Sequence, residues 1–85
     1  QLYQAVLSLK TIEECGAFFE DLCTIGELKA MAQRLEVAGM LKGQATYQDI
    51  SEQTGASTAT ISRVNRALQY GEGGYDRVLA RLADE

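Results

Sequence analysis

The segment from Thr46 to Leu68, TYQDISEQTGASTATISRVNRAL, constrains the fold of this chain more than any other stretch. Ile50, Thr54, Ile61 and Val64 recur where two short crossing helices need inward-facing side chains. Ser51 is small where the second helix passes the first, and Gly55 stands at the turn. Such a turn needs a left-handed backbone, which glycine adopts without the roughly 1–2 kcal/mol that a Cβ costs. The spacing is that of a helix-turn-helix. Two helices so joined cross at about 90–120°, and the second can project into a DNA major groove. An αα-corner that merely packs on the surface needs the same turn, so the segment alone admits both readings.

The chain has 85 residues, 46% of them hydrophobic, and no proline. That length expects a single domain, residues 1–85, burying little of its surface alone. Within it, residues 1–42 are expected to be dimerisation helices, 46–69 the helix-turn-helix and 75–84 a C-terminal helix. The absence of an initiating methionine at Gln1 is expected of a trimmed chain. No apolar run approaches the roughly 18–20 residues of a membrane span, and no signal-peptide pattern opens the sequence. Cys15 and Cys23 lie within apolar helical patterning and are expected as buried thiols rather than a disulfide. A structural zinc site is not expected, because histidine is absent and there are only 2 cysteines. The chain reads as soluble and cytoplasmic, with no membrane partner.

The net charge of −4 argues against nucleic acid until its distribution is considered. Residues 1–40 carry three basic and six acidic side chains, and residues 71–85 two basic and four acidic. Residues 41–70 carry three basic (Lys42, Arg63, Arg66) against two acidic (Asp49, Glu52), so the only net-positive segment contains the motif. Each protomer is expected to make few phosphate contacts, and a monomer to bind poorly.

The whole chain reads as helix. Thr11-x-x-Glu14, Thr24-x-x-Glu27 and Thr46-x-x-Asp49 each set a hydroxyl at an N-cap with an acid three residues on, and Ser57 is a fourth N-cap. The first segment aligns Leu2, Val6 and Leu9 and ends near Lys10. The second runs from Ile12 to Leu22, with Cys15, Phe18, Phe19 and Leu22 at helical spacing. The third runs from Ile25 to about Leu41 with Leu28, Met31, Leu35, Ala38 and Leu41 as its stripe, and Gly43 suits a left-handed stop. After the motif, Gly71, Gly73 and Gly74 form a hinge before a short helix using Val78, Leu79 and Leu82. Phe18, Phe19, Leu22, Leu28 and Leu35 could form a monomer core. The preferred reading is a homodimer in which the outer helices of two chains pack together.

No catalytic constellation is present, and the chain is not expected to be an enzyme. Without histidine the usual general base is missing. Glu13–Glu14 and Glu20–Asp21 are adjacent pairs that diverge on a helix. Gly71-x-Gly73-Gly74 follows a helix rather than a strand and is no phosphate loop. The second motif helix instead offers Ser57, Thr58, Ala59, Thr60, Ser62, Arg63 and Arg66 as a face for base edges. Hydroxyls donate or accept there, alanine and the threonine methyl can meet a thymine methyl, and an arginine can pair with guanine or phosphate. Tyr47 and Gln48 begin the first motif helix, where contacts to the DNA backbone are common, and Lys42 is a further phosphate candidate.

These residues resemble a known family. Leu41-Lys42-Gly43, Thr54-Gly55-Ala56 and Ala59-Thr60-Ile61-Ser62-Arg63 look like the Trp repressor superfamily. The wording TIEECGAFFEDLCTIGELKAMAQRLEVAGML and TGASTATISRVNRALQYGEGGYD is similar to its YerC/YecD-type bacterial branch. The resemblance implies an all-α, six-helix Trp-repressor-like fold, built as an intertwined homodimer with two projecting reading heads. It also implies transcriptional regulation, usually repression, on double-stranded DNA. Tryptophan-responsive members place an arginine then a glycine in the recognition helix, a serine three residues on, and an arginine upstream. Here Arg63 matches, but Val64, Ala67 and Gln33 stand at the other three positions, so no cofactor is expected and L-tryptophan is not expected as co-repressor. The rival expectation is a protein-protein interaction module that uses the helix-turn-helix and the acidic N-terminal helices.

Overall fold

Four of the six helices among the described residues start on a hydroxyl cap. In the computed structural model, which describes residues 1–84, Thr11, Thr24, Thr46 and Ser57 accept from the backbone N–H three residues on, at 3.0–3.1 Å. Each satisfies one orphan amide of a first turn. The helices that follow are α2 (Ile12–Leu22), α3 (Ile25–Lys42), α4 (Tyr47–Thr54) and α5 (Thr58–Tyr70). α1 (Leu2–Leu7) and α6 (Gly74–Ala83) complete the order, and the described residues contain no strand. At α3 the box is reciprocal, since Glu27 Oε1 also accepts from Thr24 N–H at 2.8 Å. At α2 the acid reaches one residue further back, and Glu14 accepts from Lys10 N–H.

The chain divides into two compact units, Gln1–Ala30 and Met31 onward. In the first unit no residue is buried. α1 stops at Leu7, earlier than the apolar pattern suggests, because the Ser8 hydroxyl donates to the Ala5 carbonyl and closes the last turn. Phe18 and Phe19 meet edge to face with centroids 5.5 Å apart. Cys15 and Cys23 are free thiols, half-buried rather than buried.

The core lies in the second unit. Val37 and Ala38 of α3, Ile50 of α4, Ala56 of the turn, and Ile61 and Val64 of α5 form one buried cluster. Met40, Leu41, Ala45, Leu68, Tyr75 and Leu79 pack against it. The stripe expected on α3 is therefore displaced. Ala38 is buried as expected, but Val37 joins it while Met31 and Leu35 remain exposed. Among Phe18, Phe19, Leu22, Leu28 and Leu35, the residues that could have made a monomer core, none is buried.

α3 ends on a left-handed residue, as expected, but that residue is Gln44 (φ 66°) and not Gly43. Gln44 N–H donates to the Leu41 carbonyl and Ala45 N–H to the Met40 carbonyl, each at 3.0 Å, the paired bonds of a Schellman stop. Met40 and Ala45 both pack against the core, and that apolar contact places the left-handed residue between them.

Candidate nucleic-acid interface

The helix-turn-helix is built from the turn outward. Gly55 caps α4 in the left-handed region (φ 75°), and its N–H donates to the Ser51 carbonyl. Thr54 Oγ1 donates to the Ile50 carbonyl and accepts from Ala56 N–H, so one hydroxyl closes α4 and shapes the exit. Gln33 of α3 donates from Nε2 to the Thr54 carbonyl at 3.1 Å, tying the turn to the long helix. Ser51 stays exposed. The small residue buried at the corner is Ala56, 2% exposed.

α5 divides cleanly. Ile61 and Val64 are buried and Leu68 half-buried along one side, while Ala59, Ser62, Arg63 and Arg66 are exposed along another. Ser57 and Thr58 open the same helix and are also exposed. The structure thus brings together most of the residues expected to read DNA. Thr60 departs from the expectation, being half-buried and accepting from the Ser57 hydroxyl at 3.1 Å. Ser57 is committed to capping, so its oxygen is already engaged by the Thr60 amide.

The basic residues differ in freedom. Lys42 is exposed, but its Nζ lies 2.9 Å from Asp76 Oδ1 of α6, a carboxylate that offsets its charge toward any phosphate. Among the described residues no carboxylate lies within ion-pair distance of Arg63 or Arg66. Gln48 is exposed at the start of α4 and donates along its own helix to Glu52 at 3.3 Å. Tyr47 reaches across to α5, where its hydroxyl accepts from Asn65 Nδ2 at 3.2 Å.

Sequence reasoning passed over Asn65, Asp76 and the anchoring bond of Gln33, because each partner sits on another element. An asparagine inside an otherwise good helix is the one local hint, since its side chain competes with helical hydrogen bonding. Beside the motif lies an open apolar hollow of about 450 Å³ lined by Leu35, Ala67, Gly71, Glu72, Gly74, Tyr75 and Val78. Of the positions that bear on a tryptophan pocket, Val64 is buried in the core, Gln33 is bonded to the turn, and Ala67 is exposed on the rim of that hollow.

Six helices among the described residues, with a capped, glycine-turned helix pair on a small apolar core, define an all-α helix-turn-helix protein. The family model described as Trp repressor protein matches residues 1–83, and the chain belongs to that family. This is a family of regulators rather than enzymes. The Bacillus subtilis protein YerC is 56% identical over 84 residues, which span 99% of this chain and 81% of YerC. The crystal structure of a TrpR-like protein from Eubacterium eligens matches with a TM-score of 0.95 and 63% identity, covering 98% of this chain and 86% of that one. A Staphylococcus aureus protein of known crystal structure matches at a TM-score of 0.94 and 50% identity, over 99% of this chain and 84% of that one.

Proposed function

We propose that this chain is a sequence-specific transcriptional regulator, a repressor that binds double-stranded DNA as a homodimer in the cytoplasm, with α5 in the major groove. The observation that carries this reading is the division of α5: Ile61 and Val64 anchor it, and Ala59, Ser62, Arg63 and Arg66 face outward together. Small side chains at its start let the helix approach base edges, and the Arg63 and Arg66 guanidinium groups, which meet no carboxylate among the described residues, can meet guanine or phosphate. A two-fold dimer would present two such helices to half-sites about one DNA turn apart.

The electrostatic part of the affinity is modest on this reading. The head offers Arg63 and Arg66 freely and Lys42 only in competition with Asp76. Each phosphate neutralised contributes about 0.9 to the slope of log K against log salt, so the slope per protomer should be shallow but distinct from zero. An apolar protein-docking surface would respond little to salt.

Selection of genomic fragments by the purified protein, with Ala59→Glu as a parallel control, tests the reading. Ala59 is exposed in the first turn of α5, where a carboxylate favours the helix dipole, so the variant should fold. Its charge would face phosphates, and the expected result is a palindromic motif recovered by wild type and lost by the variant. Equal recovery by both proteins would remove α5 from the groove.

L-Tryptophan is not the effector on this reading. Val64 fills the space that a glycine would leave open, and Gln33 spends its amide on the Thr54 carbonyl. Calorimetric titration with L-tryptophan should give no saturable heat, and a saturable signal would overturn the assignment.

A further inference from the structure

We infer that Asn65 and Gln69 form a hydrogen-bond relay that turns the Tyr47 hydroxyl into a donor for a DNA phosphate. The inference rests on the regulator reading above. Its starting point is the direction of the bonds. Gln69 Nε2 donates to Asn65 Oδ1 at 3.5 Å, and Asn65 Nδ2 donates to the Tyr47 hydroxyl oxygen at 3.2 Å. An amide whose oxygen is engaged on one side presents its NH₂ to the other. The phenolic oxygen then accepts from Asn65 and keeps its own proton for a third group. A phosphate accepts only, and an O–H bond to an ionised acceptor is stronger than a neutral one.

Position supports the same role. Tyr47 is the first residue of α4 and is 37% exposed, so the side chain is open to a partner on the surface. Asn65 is half-buried on α5, next to the outward face that carries Ser62 and Arg66. One amide therefore links the element that would meet the DNA backbone to the element that would enter the groove. Chains of such bonds polarise one another, so the terminal donor is stronger than an isolated tyrosine. Asn65 touches no nucleic acid in this scheme and acts as a positioning residue for Tyr47.

The test is fluorescence-anisotropy titration of the duplex selected by the wild-type protein, with Ala59→Glu as the reference for lost binding. Tyr47→Phe removes one such bond from each protomer and should weaken binding of the dimer about a hundredfold, about tenfold for each hydrogen bond to a charged group. The salt slope should not change, because a neutral hydroxyl releases no counterion. Asn65→Ala should cost about threefold in the wild-type background and nothing in the Tyr47→Phe background. Asn65→Asp should cost more than Asn65→Ala, because a carboxylate only accepts and would take the tyrosine proton for itself. In the Tyr47→Phe background that excess should shrink to the effect of the added charge. Circular dichroism melts of each variant establish that the fold is retained. Equal losses from Asn65→Ala in both backgrounds, or wild-type affinity in Tyr47→Phe, overturn the relay and leave the regulator reading intact. A wild-type protein that selects no duplex overturns both.

Discussion

Gln44 and Gly55 hold the same left-handed backbone, at φ 66° and φ 75°, with different chemistry. At Gly55 a Cβ would meet nothing within 4 Å, so any substitution cost there is conformational and not steric. Gly55→Ala should lose about 1–2 kcal/mol, the penalty of a Cβ in this region. Gln44 already carries that penalty, because two Schellman bonds and the seating of Met40 and Ala45 hold it in place. Gln44→Gly should relieve it, for a gain of up to about 1 kcal/mol, less what glycine adds to the freedom of the unfolded chain. Urea unfolding checks the pair, with midpoints moving in opposite directions at unchanged slope. A neutral Gly55→Ala would mean that the corner does not need its left-handed residue.

Helix starts were the most legible part of this sequence because a hydroxyl cap spans only four residues. All four hydroxyls singled out at helix starts accept the amide they were expected to accept. Glu27 shows what such a box does to a carboxylate. Bonds from the Thr24 backbone and side chain hold its pKa below the ordinary 4.5. A depressed folded-state pKa means that Glu27 stabilises the fold at pH above 4.5, and that this contribution is lost as pH falls through the folded-state value. Glu27→Gln, which can still accept from Thr24, should be less stable than wild type at neutral pH, and the difference should close in acid. Thermal melts from pH 7 to about pH 3, across the ordinary glutamate range, read this directly. A constant difference would show that the charge is not what the box uses. The α3 stripe was misread for the opposite reason. That helix is apolar on more than one side, and periodicity cannot say whether Leu35 or Val37 faces the motif. Pairs formed between elements, Lys42 with Asp76 and Gln33 with the Thr54 carbonyl, leave no local trace at all.

At the scale of the whole molecule, both units leave large apolar side chains exposed. No helix among the described residues is long and apolar enough to cross a membrane. In the first unit Tyr3, Leu7, Ile12 and Ile25 are 73–84% exposed, and in the second Tyr70 is 80% exposed and Leu82 51%. Burying apolar surface contributes roughly 25 cal/mol per Å², so each of these side chains gains by being covered. A second copy of the chain is the partner that the proposed two-headed reader requires. Sedimentation should then give twice the 9.3 kDa chain mass at micromolar concentration. Leu7→Lys with Ile12→Glu supplies the decisive comparison. Leu7 and Ile12 are both 84% exposed, so charging them costs a monomer little. Each new charge also suits its helix end, lysine at the last residue of α1 and glutamate at the first of α2. The double variant should keep its helical circular dichroism, sediment at the mass of one chain, and lose the two-half-site affinity that a dimer confers. A wild-type protein that sediments as a single chain while still selecting palindromic DNA would separate reading from dimerisation.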